Sequence, residues 1–173
     1  MDFFDVVHAR YSHKELFLPD AVPLADLEKI ALAGLSAPNG VNRQLVRLVL
    51  LPDRTALAPL SDLLEHGGLN TAPAAIAVLT TDGTPPDGVN FTKEDYAAAV
   101  ENMLLAAVAL GYQSCWYEGQ ITDADNIGRK MADVLQVPED YDLVCFLPIG
   151  IAAQPLSQAG KLPFEKRARF NGF

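Results

Sequence analysis

The stretch from Lys93 to Leu110 constrains the fold more than any other part of the chain. Ala97, Ala98, Ala99, Val100, Met103, Leu104, Leu105, Ala106, Ala107, Val108 and Leu110 are apolar nearly all the way round a helix. A helix with so little polar face belongs at the centre of a domain, and Gly111 supplies its C′ stop. Four short apolar runs read as strands: Leu45 to Leu51, Ala74 to Thr80, Gln113 to Tyr117 and Asp142 to Leu147. Further helices are expected over Phe3 to Ala9, with Asp2 as N-cap, and from near Pro23, where Leu27, Ile30, Ala31 and Gly34 share a face. Two more run from Ala56 to His66, closed by Gly67-Gly68, and from a capping box at Thr122 to Asp125 as far as about Leu135. Asp82 to Gly88, with two prolines and two glycines, reads as a surface loop. Helices outnumber strands, so the expected architecture is an α+β sandwich: a small mixed sheet with helices on both faces. A length of 173 residues suits a single domain over 1–173. No internal repeat or second domain is evident, and the chain after Leu147 reads as extended.

Charge narrows the partners. Twenty-two acidic residues against 13 basic, a net charge of −9, argue against nucleic acid, which demands a broad basic face, and against anionic membrane surfaces. No apolar run reaches the roughly 18 residues a bilayer span needs, and Met1-Asp2-Phe3-Phe4 lacks the layout of a signal peptide. Cys115 and Cys145 have no disulfide or metal-ligand spacing and read as reduced core thiols of a cytoplasmic protein. His8, His13 and His66 have no metal-ligand spacing either, so no metal is expected, and His13 reads as a surface residue. There is no Gly-x-Ser-x-Gly elbow, phosphate-binding Gly-Lys-Ser/Thr loop or dinucleotide Gly-x-Gly-x-x-Gly.

The few cations gather at the two ends, in Arg10-Tyr11-Ser12-His13-Lys14 and between Lys161 and Arg169. Arg10, Ser12 and Lys14 alternate, so in an extended segment their side chains share one side. That set suits a phosphate monoester; it equally suits a solvated turn complementing a helix dipole. Asn42 and Gln44 also alternate ahead of an apolar strand. Their amides can donate and accept at once, or Asn42 shapes a turn and Gln44 is simply exposed. Glu118-Gly119 follows a strand, and the glycine permits close approach of a ligand to the backbone or merely ends the strand. Leu147-Pro148-Ile149-Gly150 reads as a loop leaving the fourth strand. Trp116, Tyr117 and Phe91 line a cleft or fill the core.

Taken in order, Arg10 to Lys14, Ala37 to Gln44, Trp116 to Gly119 and Leu147 to Gly150 resemble the flavin-binding segments of the FMN-dependent nitroreductase family, and the likeness runs from about Phe3 to Phe164. The resemblance implies an intertwined homodimer with flavin sites at the subunit interface. Its C-terminal arm, about 160–173, would embrace the second subunit and bury Phe164, Phe170 and Phe173. It also implies that Arg10 and Ser12, beside Tyr11, hold the FMN phosphate together with Lys161, while Lys14 reaches the ribityl chain or the pyrimidine edge. Asn42 and Gln44 would contact the flavin, with Pro38, Asn39 and Gly40 approaching from the opposite subunit. The main-chain N–H of Glu118, flanked by Tyr117 and Gly119, would point at flavin N5, and the Glu118 side chain would matter little.

Two departures stand out. Leu45-Val46 occupies the place where the family continues with Pro and Trp. No basic residue occurs between Arg54 and Lys93, where some members place a second cation near the flavin N1 and O2 atoms; Asn70 is the neutral substitute. The implied activity is hydride transfer from NADH or NADPH through FMN to a nitroaromatic, quinone or related acceptor by a ping-pong route. The alternatives are a specialised flavin-dependent dehydrogenase and a non-catalytic flavin-binding or sensory relative.

Overall fold

The computed structural model describes residues 1–63, 70–81, 88–122 and 126–172. In chain order it contains α1 (Phe3–Ala9), α2 (Leu24–Leu35), β1 (Arg47–Leu51), α3 (Arg54–Ser61), β2 (Ala74–Thr81), α4 (Thr92–Ala109), β3 (Gln113–Ser114), α5 (Gly119–Thr122), α6 (Ile127–Val134) and β4 (Tyr141–Gly150). Short 3₁₀ turns lie at Gly40–Asn42 and Phe164–Lys166. The expected residues His66, Gly67 and Gly68, most of the 82–88 loop, Asp123 to Asp125 and Phe173 lie outside the described residues.

The strands line up in the order β1-β2-β4-β3, and among the described residues every ladder is antiparallel. The expectation of a mixed sheet is corrected on this point: among the described residues, parallel pairing is confined to the isolated bridge between Ser12 and Ser114. Helices cover both faces, as expected. Ala74, Ile76 and Val78 of β2 face a core cluster with Leu27, Ile30, Val100, Met103 and Leu104 from α2 and α4. The intervening Ala75, Ala77 and Leu79 face a second cluster with Leu57, Leu60, Met131 and Ala132 from α3 and α6. This period-2 division is what a strand buried on both sides requires. Burying a large apolar side chain on either face contributes about 1.5–3 kcal/mol. No helix among the described residues is long and apolar enough to cross a membrane.

Two element boundaries move for identifiable reasons. β1 begins at Arg47 rather than Leu45, because Val41, Asn42 and Gln44 all have left-handed φ angles of 53–55° and coil the chain before it can extend. β4 runs through Pro148 to Gly150, although Pro148 looks like a strand end. The register between β3 and β4, fixed by Gln113↔Gly150 and by the bridge Tyr117↔Phe146, sets Cys115 opposite Pro148. Pro148 has no N–H to give, so the ladder opens there and the third strand shrinks to Gln113–Ser114 with an outlying bridge at Tyr117.

Both cysteines are free and buried. Burial pushes the Cys115 thiol up, against the opposing pull of Lys14, the Ser12 and Tyr117 hydroxyls and Arg10. The Cys145 thiol is raised well above its usual range, again by burial, with the Glu118 charge adding to it. A group that ionises less readily when folded contributes stability that is complete below its unfolded pKa, about 8.5 for a thiol, and is lost as pH climbs through the folded value. Neither thiol is therefore expected to react with a thiol-specific reagent at pH 7.5 in the folded protein, and both should react on unfolding. The melting temperature should fall as pH rises above about 9.

Candidate flavin site

The site begins where α1 ends. Arg10 caps α1 in an extended conformation, and the next four residues alternate as the sequence suggests: Tyr11 and His13 are buried, Ser12 and Lys14 exposed. The inward pair fixes the outward set. The Tyr11 hydroxyl accepts from the Leu156 N–H at 3.1 Å. His13 is wholly buried rather than on the surface, packed between the Tyr11 and Phe17 rings with Nε2 3.1 Å from the Leu16 carbonyl. Alternation put it indoors, and its apolar neighbours keep it there. Arg10 has its side chain 3.8 Å from Glu101 of α4, a long and partly exposed pair, which holds the guanidinium only weakly. Gln158 donates to the Arg10 carbonyl at 2.9 Å, so Lys161, three residues on, lies within about 10 Å of chain reach.

The opposite wall of the site is an edge of the sheet. The His13 N–H donates to the Ser114 carbonyl at 2.9 Å, which lays the Arg10–Lys14 segment along the free edge of β3. Farther along, Tyr117 gives its N–H and takes that of Phe146, at 3.1 and 2.9 Å. The peptide between Tyr117 and Glu118 is trans. With the Tyr117 carbonyl aimed at β4, the Glu118 N–H therefore aims the other way, off the same free edge. Among the described residues it meets no acceptor. Tyr117 itself is turned inward: its hydroxyl lies on the Cys115 thiol, and burial pushes its phenol up to about 12.

The Glu118 carboxylate is more engaged than expected. It accepts from the Tyr96 hydroxyl at 2.8 Å and has Lys93 Nζ at 3.5 Å. Gly119 opens the short α5 turn.

Pro38 to Gln44 lie elsewhere on the chain. The Gly40 N–H donates to the buried Asp95 carboxylate at 2.7 Å. A Cβ on Gly40 would sit 2.3 Å from the Phe91 ring, so only glycine fits beneath it. The Gln44 N–H donates to Asn39 Oδ1, and Gln44 Nε2 to Asn42 Oδ1 at 3.3 Å. The two amides meet because the turn folds them together, not through strand alternation. This loop borders a cavity of about 700 Å³ lined by Pro38, Asn39, Arg43, Gln44, Arg47 and Asp95 among others. Asp95 and Glu101 both sit on α4, six residues apart, which is about 9 Å along the axis and about 120° around it. A single chain thus holds the Arg10 group and the Asn42–Gln44 group on different faces of one helix. Asn70 accepts from Arg54 Nη2 through its carbonyl at 2.7 Å, so a cation does stand at Asn70, supplied from earlier in the chain. Trp116 packs against the core, edge-on to Tyr96 at 6.5 Å. Lys93, Asp95, Tyr96, Glu101 and Gln158 escaped the sequence reading. Lys93, Glu94, Asp95 and Glu101 are all charged residues of that helix, and no local pattern marks Asp95 as the buried one.

An antiparallel sheet covered by helices on both faces, with Arg10, Lys14 and an outward main-chain N–H along one edge, defines an α+β protein. The model of the nitroreductase family matches residues 7–66 and 54–151. The chain belongs to that family. A relative from Archaeoglobus fulgidus with the provisional name NADH dehydrogenase/NAD(P)H nitroreductase is 29% identical over 126 residues, 72% of this chain and 71% of its own. A crystal structure of a protein with that same provisional name from Bacteroides thetaiotaomicron superposes with a TM-score of 0.84 at 24% identity, covering 99% and 98% of the two chains. The structure of an FMN-dependent nitroreductase from Clostridium difficile does so with a TM-score of 0.82 at 25% identity, covering 98% and 99%.

Proposed function

We propose that the protein is an FMN-dependent oxidoreductase that takes hydride from NADH or NADPH and reduces a nitroaromatic, quinone or related acceptor by a ping-pong route. The observation that carries this reading is the Glu118 N–H, aimed off the same sheet edge that bears Arg10, Ser12 and Lys14. The donor set fits FMN. Arg10, Ser12 and Lys161 offer charge and hydrogen bonds to a phosphate, Lys14 serves the ribityl chain or the pyrimidine edge, and Glu118 offers a neutral donor to ring atom N5. Arg54 beside Asn70 supplies positive charge in the region where a second cation is otherwise missing. FMN, when bound, supplies the two-electron carrier between reductant and acceptor. The chain's part is to grip the phosphate, orient the ring and set its electrostatics, which accounts for the lack of an acid–base dyad in the sequence.

A homodimer belongs to the same proposal. Pro38, Asn39, Gly40, Asn42 and Gln44 stand apart from Arg10 within one chain, and a second subunit would bring them to the flavin. Phe164 and Phe170 support it, being 59% and 84% exposed on the C-terminal arm. Two free thiols fit a cytoplasmic setting. The test is an absorption spectrum of purified protein with added FMN, repeated anaerobically after NADH. Bound flavin bleached by NADH is expected. Failure to bind FMN sinks the proposal, and binding without bleaching points to a flavin binder that does not turn over.

A further inference from the structure

Three of the four points at which Glu118 can be held are already taken within the chain. The peptide before it is fixed by the Tyr117–Phe146 bridge, and its own carbonyl accepts from the Ile121 and Thr122 N–H groups at 2.8 and 3.0 Å. Its carboxylate accepts from the Tyr96 hydroxyl at 2.8 Å, with Lys93 Nζ 3.5 Å away. The fourth point, the N–H, faces outward.

Glu118 stands just ahead of the α5 turn, where an unanchored carboxylate can fold over the first-turn main-chain N–H groups as an N-cap side chain does. That placement would bring a negative charge toward the sheet edge where the Glu118 N–H faces outward. Tyr96 prevents this from a rigid base. The residue is 5% exposed, lies edge-on to Trp116 and belongs to the core cluster of α2 and α4. Burial first, and then the Glu118 carboxylate, hold its phenol well above the ordinary value, so it remains a donor throughout the working pH range. Lys93 is largely exposed and offsets part of the carboxylate charge.

We propose that Tyr96, assisted by Lys93, is a positioning residue for the flavin, which draws the Glu118 carboxylate away from the sheet edge and leaves the Glu118 N–H open to ring atom N5. The proposal rests on the reading of the site as an FMN site. It assigns a role to a side chain that was expected to matter little and to two residues that the sequence did not single out.

The test compares Tyr96→Phe, Lys93→Met and Glu118→Gln by the midpoint potential of bound FMN, by FMN affinity and by single-turnover reduction with NADH. Tyr96→Phe should lower the potential and slow reduction roughly tenfold, the equivalent of one hydrogen bond to a charged group. FMN affinity should change little, because the phosphate grip is untouched. Lys93→Met should shift the potential in the same direction. Glu118→Gln keeps an acceptor for Tyr96 but removes the charge, so the potential should rise. Potentials unmoved in all three variants, or moving alike in all three, overturn the proposal, as does a Tyr96→Phe protein altered only in melting temperature. If Tyr96→Phe does not fold, the opposite signs expected of the surface variant Lys93→Met and of Glu118→Gln still decide it. Failure of the unmodified protein to bind FMN would instead overturn the site reading itself, and the two failures are told apart by that control.

Discussion

Replacing Arg10 by alanine is expected to weaken FMN binding roughly 10- to 150-fold, the equivalent of about 1.5–3 kcal/mol for one charge-assisted hydrogen bond. The guanidinium is free to make such a bond, since its pairing with Glu101 is long at 3.8 Å and half open to water. Nor does the substitution disturb the segment that carries it. The main chain at Arg10 is held by the α1 cap and by Gln158, and the segment after it by the His13 bond to Ser114. None of these contacts uses the Arg10 side chain. The loss should therefore appear in FMN affinity and hardly at all in the melting temperature of the flavin-free protein. Glu118→Gln should weaken FMN retention far less, because the group offered to the flavin there belongs to the main chain. Titration of flavin-free protein by quenching of FMN fluorescence measures both. Equal losses would mean that the phosphate or the N5 assignment is misplaced. The Arg10 effect should also shrink as salt rises, because the contact is made at a partly exposed site.

The sequence disclosed what periodicity controls. The central helix was legible to within a residue, since its apolar surface dictates burial whatever surrounds it, and α2 buries the very face its spacing marked: Leu27, Ile30, Ala31 and Gly34. The alternation of Arg10, Ser12 and Lys14 was legible for the same reason. What stayed hidden depends on residues far apart in the chain. Gly40 bonds to Asp95, 55 positions away, Gln158 to Arg10, 148 away, and Tyr96 to Glu118, 22 away. No local pattern announces such pairs. Backbone conformation was the other blind spot. Asn42 and Gln44 alternate ahead of the strand, yet both take left-handed φ angles, which asparagine tolerates more readily than most side chains. Pro148 misled in the opposite direction. A proline that usually ends a strand lies inside β4, at the point where the neighbouring ladder opens to receive it.

Phe146→Ala should be far more destabilising than any change at the sheet edge, costing about 3–5 kcal/mol. Phe146 is 1% exposed at the centre of β4, the strand that joins β2 to the site edge. It packs among Ala77, Tyr117, Ile121 and Met131, so truncation leaves a void that helices on one side and a sheet on the other cannot both close upon. Against a domain stability of about 5–15 kcal/mol, that loss should lower the melting temperature by roughly 6–20 °C. The functional consequence follows from geometry. Phe146 bonds to Tyr117 through its main chain, which alanine retains, so the direction of the Glu118 N–H survives while its support softens. FMN binding should therefore fall less than in Arg10→Ala even though stability falls much more. Melting must be followed on flavin-free protein at fixed concentration, because a ligand or partner that binds only the folded state raises the apparent midpoint by mass action. A loss below about 1 kcal/mol would show that the cavity collapses, and that the β4 core is less rigid than its packing implies. A loss of FMN affinity matching that of Arg10→Ala would place the flavin grip in the core of the sheet rather than along its edge.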